Sequence, residues 1–275
     1  MPLVPAGRIV TKTRGVGAFN VILLEHAEAI ISGAEAAGLP VVLQISENCV
    51  RYHGALEPIA VATLAAARAA EVPVTVHLDH ATSAGLVREA VALGLGSVMY
   101  DASALEYDRN VETTAEVTAY CHDHDVWVEA ELGEVGGKDG VHAPGARTDP
   151  GEAARFVAAT GVDALAVAVG TSHAMTDRTA AVDLDLISRL RDVVPVPLVL
   201  HGSSGVPDAD LTRAVKAGIA KVNIATHLNR VFTDAVREYL NGHPNIVDTR
   251  KYLAPGRDAV AREVARLLGA VLAAA

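Results

Sequence analysis

The amino-acid sequence predicts an α/β protein: a single (β/α)8 TIM barrel over residues 1–275, with a helical extension at its C-terminal end. Three observations lead there. Eight short runs rich in Val, Ile and Leu alternate with longer stretches of helical period. Each run is continuously apolar rather than alternating polar and apolar, which suits strands buried on both faces of a parallel sheet. No Gly-x-Gly-x-x-Gly fingerprint follows the first run, which disfavours an open doubly wound sheet.

The predicted strands cover residues 16–21, 41–46, 74–79, 97–101, 127–132, 164–170, 198–201 and 221–225. Helical periodicity covers 25–37, 56–70, 83–93, 110–123, 151–160, 184–193 and 209–217, and 228–240 and 258–273 close the chain. Pro40, Pro73 and Pro197 stand just before strands. Gly38, Gly94, Gly161 and Gly218 stand just after helices, where a left-handed residue ends the helix. The Gly-rich stretch 133–149 has no periodicity and follows strand five, so it reads as a lid on the active face. No linker or shift of composition divides the chain, which is expected to form one domain.

Composition narrows the function. A hydrophobic content of 51% with only 4% aromatics calls for an aliphatic core. The net charge of −10 argues against a nucleic-acid surface and against binding to anionic membranes, although a site can still be locally positive. Two cysteines, Cys49 and Cys121, give no disulfide framework, and the simplest setting is cytoplasmic. Residues 1–8 do not read as a signal peptide, and no apolar run approaches the roughly 20 residues of a membrane span.

The carboxyl ends of barrel strands carry the chemistry. Here they form a polar ring of Asn20, Ser46, Asp79, His80, Asp101, Glu129, Glu131, His173, His201, Asn223 and Thr226. His80, His173 and His201 end three separate strands. Three imidazoles around an open fourth position are what a catalytic zinc needs. Strand period two puts His77 with Asp79, so His80 is expected to act from where the chain turns out of the barrel, and His77 to be a hydrogen-bonded interior residue. Glu129 and Glu131 likewise share a side; carboxylates there can anchor ligands, coordinate, or carry protons. The cluster Cys121, His122, Asp123, His124 and Asp125 lies at a helix end on the opposite face and reads as solvated surface. Two segments suit phosphate, 201–205 with its Gly-Ser turn and 221–226 leading into a helix. None of the strand-end positions is Lys, and Lys221 is expected to open strand eight at its far end.

With those residues in hand, the chain resembles the class II, metal-dependent ketose-bisphosphate aldolases, in particular the compact fructose/tagatose-bisphosphate branch. The resemblance runs from Ala18-Phe-Asn-Val21 to Asp248-Thr-Arg-Lys-Tyr252. Between them lie His77-Leu-Asp-His80, Val128-Glu-Ala-Glu-Leu-Gly-Glu-Val-Gly-Gly137, Val169-Gly-Thr-Ser-His173, Leu200-His-Gly-Ser-Ser-Gly205 and Val222-Asn-Ile-Ala-Thr226. It implies a catalytic Zn2+ on His80, His173 and His201, with Glu131 and Asp101 as further acidic residues at the metal, and a monovalent cation as an optional second ion. It also implies that Asp79 is the acid/base at the C4 oxygen. Gly202, Ser204, Asn223 and Thr226 then fall at the dihydroxyacetone phosphate contacts, and Asn20 and Ser46 at the aldehyde half. Arg250 matches an arginine that a neighbouring subunit supplies to the other phosphate, which implies a homodimer or homotetramer.

The implied reaction is reversible cleavage of fructose 1,6-bisphosphate to dihydroxyacetone phosphate and glyceraldehyde 3-phosphate, with no Schiff-base lysine. Tagatose 1,6-bisphosphate or a deoxyketose phosphate are the alternative substrates. A barrel metallohydrolase and a non-catalytic sugar-phosphate sensor are the rival functions. Two positions depart from the family pattern. Asp139 stands where a glutamate usually moves the proton at the donor carbon, with Glu134 as the fallback, and Ala174 stands where Gly is common.

Overall fold

A computed structural model describes residues 2–10, 15–133, 147–171 and 178–273. Eight strands close a barrel in sequence order: β1 (Val16–Asn20), β2 (Val41–Ser46), β3 (Val74–Ala81), β4 (Ser97–Tyr100), β5 (Trp127–Glu131), β6 (Ala164–Ala166), β7 (Leu198–Leu200) and β8 (Ile219–Ile224). Every neighbouring pair is parallel, including the closing pair β1–β8, where Ala18 faces Asn223.

The helices are α1 (Gly7–Val10), α2 (Leu24–Ala37), α3 (Glu47–His53), α4 (Glu57–Ala69), α5 (Ala84–Leu93), α6 (Tyr107–His122), α7 (Pro150–Thr160), α8 (Leu184–Val193), α9 (Asp208–Ala217), α10 (Thr226–Gly242) and α11 (Thr249–Arg266). A π-helical turn, Leu267–Leu272, continues α11. The last two helices form the expected C-terminal extension. Among the described residues no helix is long and apolar enough to cross a membrane.

Strand periodicity sorts the core into two compartments. Outward positions such as Phe19, Leu43, Ile45, Val76, Leu78, Val128 and Leu165 meet the helices in one continuous aliphatic layer. Inward positions form small separate clusters, Val16, Ala18 and Val42 in one and Met99, Ala164, Ala166 and Val199 in the other, with Trp127 against both. Other inward positions are polar and buried, among them Gln44, Thr75, His77, Asp79, Ser97, Glu129, Glu131, Lys221 and Asn223. A polar column thus leads up to the mouth of the barrel.

Several elements differ from expectation. α1 has no counterpart among the predicted helices, and α11 starts at Thr249 rather than at 258. α3 has too few residues to show a helical period, although Ser46 caps it through a bond from the Cys49 amide and Gly54 ends it at φ 81. β6 leaves the ladder after Ala166, because Ala168 instead bonds Thr148 through both its amide and its carbonyl. β8 begins at Ile219, directly after Gly218, which makes Lys221 its third residue rather than its first.

The extension is seated by a close approach. A Cβ on Gly33 of α2 would lie 2.5 Å from the Ala261 carbonyl oxygen and 2.7 Å from Val264 Cβ of α11. Only glycine allows the two helices this contact.

Candidate active site

Neighbouring strand residues normally point to opposite faces, yet Asp79 and His80 both serve the barrel mouth. The cause is a bulge. Between Leu78 and Ala81, β3 takes three steps against two on β4, since Leu78 pairs with Val98 and Ala81 with Tyr100. His80 absorbs the extra residue in a left-handed conformation, φ 51, which is unfavourable for a side chain other than glycine. Asp79 keeps the inward series begun by His77, and the His80 ring swings back over the mouth. His80 is therefore within the strand rather than beyond it.

His80 Nε2 lies 3.0 Å from His201 Nδ1, and the two rings meet edge to face. Each ring is held from behind by a carboxylate. His80 Nδ1 is 2.7 Å from Asp101 Oδ2, and His201 Nε2 is 2.9 Å from Glu129 Oε1. Asp101 is fixed in turn by the amide and hydroxyl of Ser103, and Glu129 Oε2 lies 2.7 Å from Lys221 Nζ. A carboxylate only accepts, so each rear nitrogen carries the proton and the two facing nitrogens present lone pairs. A proton on His80, or a metal ion bound to both nitrogens, resolves that opposition. The donor set therefore fits a metal.

Among the described residues two groups of side chains offer ligand atoms that lie, within each group, within 4.8 Å of one another: Asp79, His80 and His201, and His80, Asp101 and Glu131. His173, Glu134, Asp139 and Ala174 lie outside the described residues.

The site is electrostatically tuned for a cation. Burial opposes a charge on His80, but Asp79, Asp101 and Glu131 outweigh it and push its pKa up to about 10. Burial also opposes ionisation of Asp79, yet His80, His201, His77 and Lys221 hold its carboxyl below the ordinary value. His201 is lowered, by burial first, with its bond to Glu129 pulling the other way. His77, whose Nδ1 sits 2.6 Å from Ser97 Oγ, is lowered to about 3 by burial and by Lys221.

Asp79 is placed by amides. Asn20 Nδ2 and Asn223 Nδ2 each stand 3.4 Å from one of its oxygens, and Gln44 donates to Asn20 Oδ1 at 2.8 Å. Above them opens a cavity of about 430 Å³ lined by Asn20, Ser46, Asp79, His80, His201, Gly202, Ser204, Asn223 and Thr226. Gly202, at φ 66, starts the turn Ser203–Gly205, and Ser204 Oγ accepts the His227 amide at the start of α10. Of the expected substrate contacts, only Arg250 is remote from this cavity: it lies in the first turn of α11, ion-paired with Asp248, its side chain 88% exposed.

The model of the family "Fructose-bisphosphate aldolase class-II" matches residues 8–274. The chain belongs to this family. It is a class II aldolase, a carbon–carbon lyase whose reaction is reversible aldol cleavage. A fructose-bisphosphate aldolase of Geobacillus stearothermophilus is 40% identical over 249 residues, covering 89% of this chain and 87% of that protein. The YdjI aldolase of Escherichia coli K12 superposes with a TM-score of 0.84 at 31% identity, over 98% of this chain and 97% of that one. The Campylobacter jejuni fructose-bisphosphate aldolase shares the fold, with a TM-score of 0.80 at 21% identity over 98% and 96% of the two chains.

Several residues of this aldolase's site escaped the sequence reading. Asn48, Cys49 and Tyr52 reach the cavity from α3, and Asn229 from α10, three residues after Thr226 and so on its helical face. Lys221 is the clearest correction. It is 1% exposed inside the barrel, and its spacing of two from Asn223 was the available signal. The Cys121–Asp125 cluster has four exposed residues, with His122 paired to Asp163.

Proposed function

We propose that this aldolase cleaves fructose 1,6-bisphosphate to dihydroxyacetone phosphate and glyceraldehyde 3-phosphate with zinc on His80, His201 and His173. The observation that carries this reading is the pair of facing ring nitrogens, each backed by a carboxylate, directly beside a buried Asp79. Zinc bound there would supply a Lewis acid that polarises the ketose carbonyl. Asp79, kept ionised by the surrounding positive groups, accepts the proton of the C4 hydroxyl as the C3–C4 bond breaks and the C4 carbonyl forms. Asn20 and Asn223 orient that carboxylate. The bond's electrons stay with the dihydroxyacetone phosphate half, and a proton must then reach C3. Asp139 is the proposed carrier and Glu134 the substitute.

Gly202, Ser204 and Thr226 suit the phosphate of that half, since a glycine turn and the start of α10 bring backbone amides and hydroxyls together. Asn20 and Ser46 line the other half. Arg250 is proposed to act in a neighbour's cavity, consistent with its exposure and its absence from its own, which makes a homodimer or homotetramer the working unit. Cys49 and Cys121 are both unpaired thiols, in keeping with a cytoplasmic setting.

Condensation of dihydroxyacetone phosphate with a panel of aldehydes, with the sugars identified, tests the substrate. Glyceraldehyde 3-phosphate giving mainly fructose 1,6-bisphosphate is the expected result. Mainly tagatose 1,6-bisphosphate, or condensation only with unphosphorylated aldehydes, would displace this substrate assignment.

A further inference from the structure

A lysine buried inside the barrel needs a reason. Lys221 and Glu129 are 1% and 0% exposed at their side chains, and an apolar pair of similar volume would satisfy the fold at least as well. The pair does not end on itself. Glu129 uses one oxygen for Lys221 and the other for His201 Nε2, so the lysine is the far end of a chain that runs Lys221, Glu129, His201, His80, Asp101, Ser103.

His201 Nε2 also has a competing neighbour. Asn223 Nδ2, an amide donor, stands 3.2 Å from it, against 2.9 Å for the Glu129 oxygen. The two neighbours ask for opposite tautomers. A carboxylate calls for a proton on Nε2, which leaves a lone pair on Nδ1 facing the site. The amide calls for a lone pair on Nε2, which places the proton on Nδ1 and blocks that nitrogen for a metal. The carboxylate prevails while it is held in place.

We propose that Lys221 is a positioning residue of the metal site: it fixes the Glu129 carboxylate against His201 and so selects the tautomer that turns Nδ1 to the metal. At the rim, Ser103 does the equivalent for Asp101 and His80. Inside the barrel the lysine has this work, and not that of a carbonyl-trapping amine. The inference rests on the metal reading above.

Zinc affinity by competition with a chromophoric chelator tests it, together with the absorption spectrum of the cobalt-loaded protein. Lys221→Met is expected to bind zinc at least about tenfold more weakly and to alter the cobalt spectrum, in line with the usual cost of losing a ligand's support. In Lys221→Met/Glu129→Gln the amide oxygen again accepts the Nε2 proton without a buried charge, and affinity returns to within about threefold of wild type. Lys221→Met/Glu129→Leu, which has no acceptor, does not recover.

Wild-type affinity and spectrum in Lys221→Met would overturn the proposal. Equal affinity of the two double variants would also overturn it, and that comparison stands even if the single variant does not fold. A borohydride-reduced substrate adduct on Lys221 would assign the lysine a different role. Wild-type protein that binds no divalent metal would remove the metal reading along with it.

Discussion

His80 Nε2 and His201 Nδ1 face each other across 3.0 Å, although the two residues stand 121 apart in sequence and reach the site from different strands. The bulge in β3 supplies one ring and the end of β7 supplies the other. Asp101 and Glu129 hold the rear nitrogens, so the orientation of both rings is decided before any ligand arrives.

Removing one of those supports should weaken the metal more than the fold. Asp101→Ala is expected to lower zinc affinity about 10- to 100-fold, because the His80 ring loses its acceptor. Activity should return with excess zinc. Chelator competition checks the affinity, and unchanged affinity would mean that Asp101 does not orient His80.

Asp79→Ala should separate metal binding from chemistry. Zinc content stays near that of the wild type while cleavage falls about 100-fold or more, the usual contribution of a general base. Metal analysis and kcat on the same preparation check it, and wild-type turnover would remove Asp79 from the mechanism.

Gly33→Ala sets two effects against each other. Alanine in place of glycine in a helix stabilises by about 1 kcal/mol. The added Cβ would meet the Ala261 carbonyl oxygen at 2.5 Å, and overpacking of this kind costs about 1–3 kcal/mol. The clash is with backbone, which cannot rotate away, so net destabilisation is expected in chemical unfolding, with kcat preserved. A more stable variant would show that α11 can shift off α2.

Glu263 should give stability a dependence on acid pH. Its carboxylate takes two bonds from Arg266, each 2.8 Å, and lies 2.6 Å from His227 Nε2, while Arg266 and Arg178 share Asp208. Burial opposes the charge, but these partners lower its pKa from 4.5 to about 2. Folding therefore favours the ionised form, and the contribution is whole above pH 4.5 and fades as pH falls toward 2. The stability difference between wild type and Glu263→Gln should be about 1 kcal/mol at neutral pH and shrink across that window. A difference that stays constant down to pH 2 would assign it to packing.

Much of the architecture was legible because it rests on local signals. Continuous apolar runs, prolines before strands and glycines after helices located all eight strands and the longer helices between them. Asp79, His80 and His201 were legible because strand ends share one face of a closed barrel. The bulge was not. An extra residue leaves no mark in the pattern Val74-Thr-Val-His-Leu-Asp-His80, and only the β4 register reveals that two successive side chains serve the site. Lys221 was missed for a related reason: with the strand start placed two residues late, an interior ammonium looked like an exposed end. α3 was missed because a seven-residue helix shows less than two full periods.

A metal on these histidines, and no lysine, is proposed to drive the cleavage. Dialysis against a chelator, followed by stepwise return of zinc, tests it most directly when fructose 1,6-bisphosphate cleavage is followed at each addition. Activity should vanish and return as about one zinc per chain is restored, as expected of a single catalytic site. Full cleavage by thoroughly metal-depleted protein, lost only on borohydride treatment with substrate, would place the chemistry on a lysine instead.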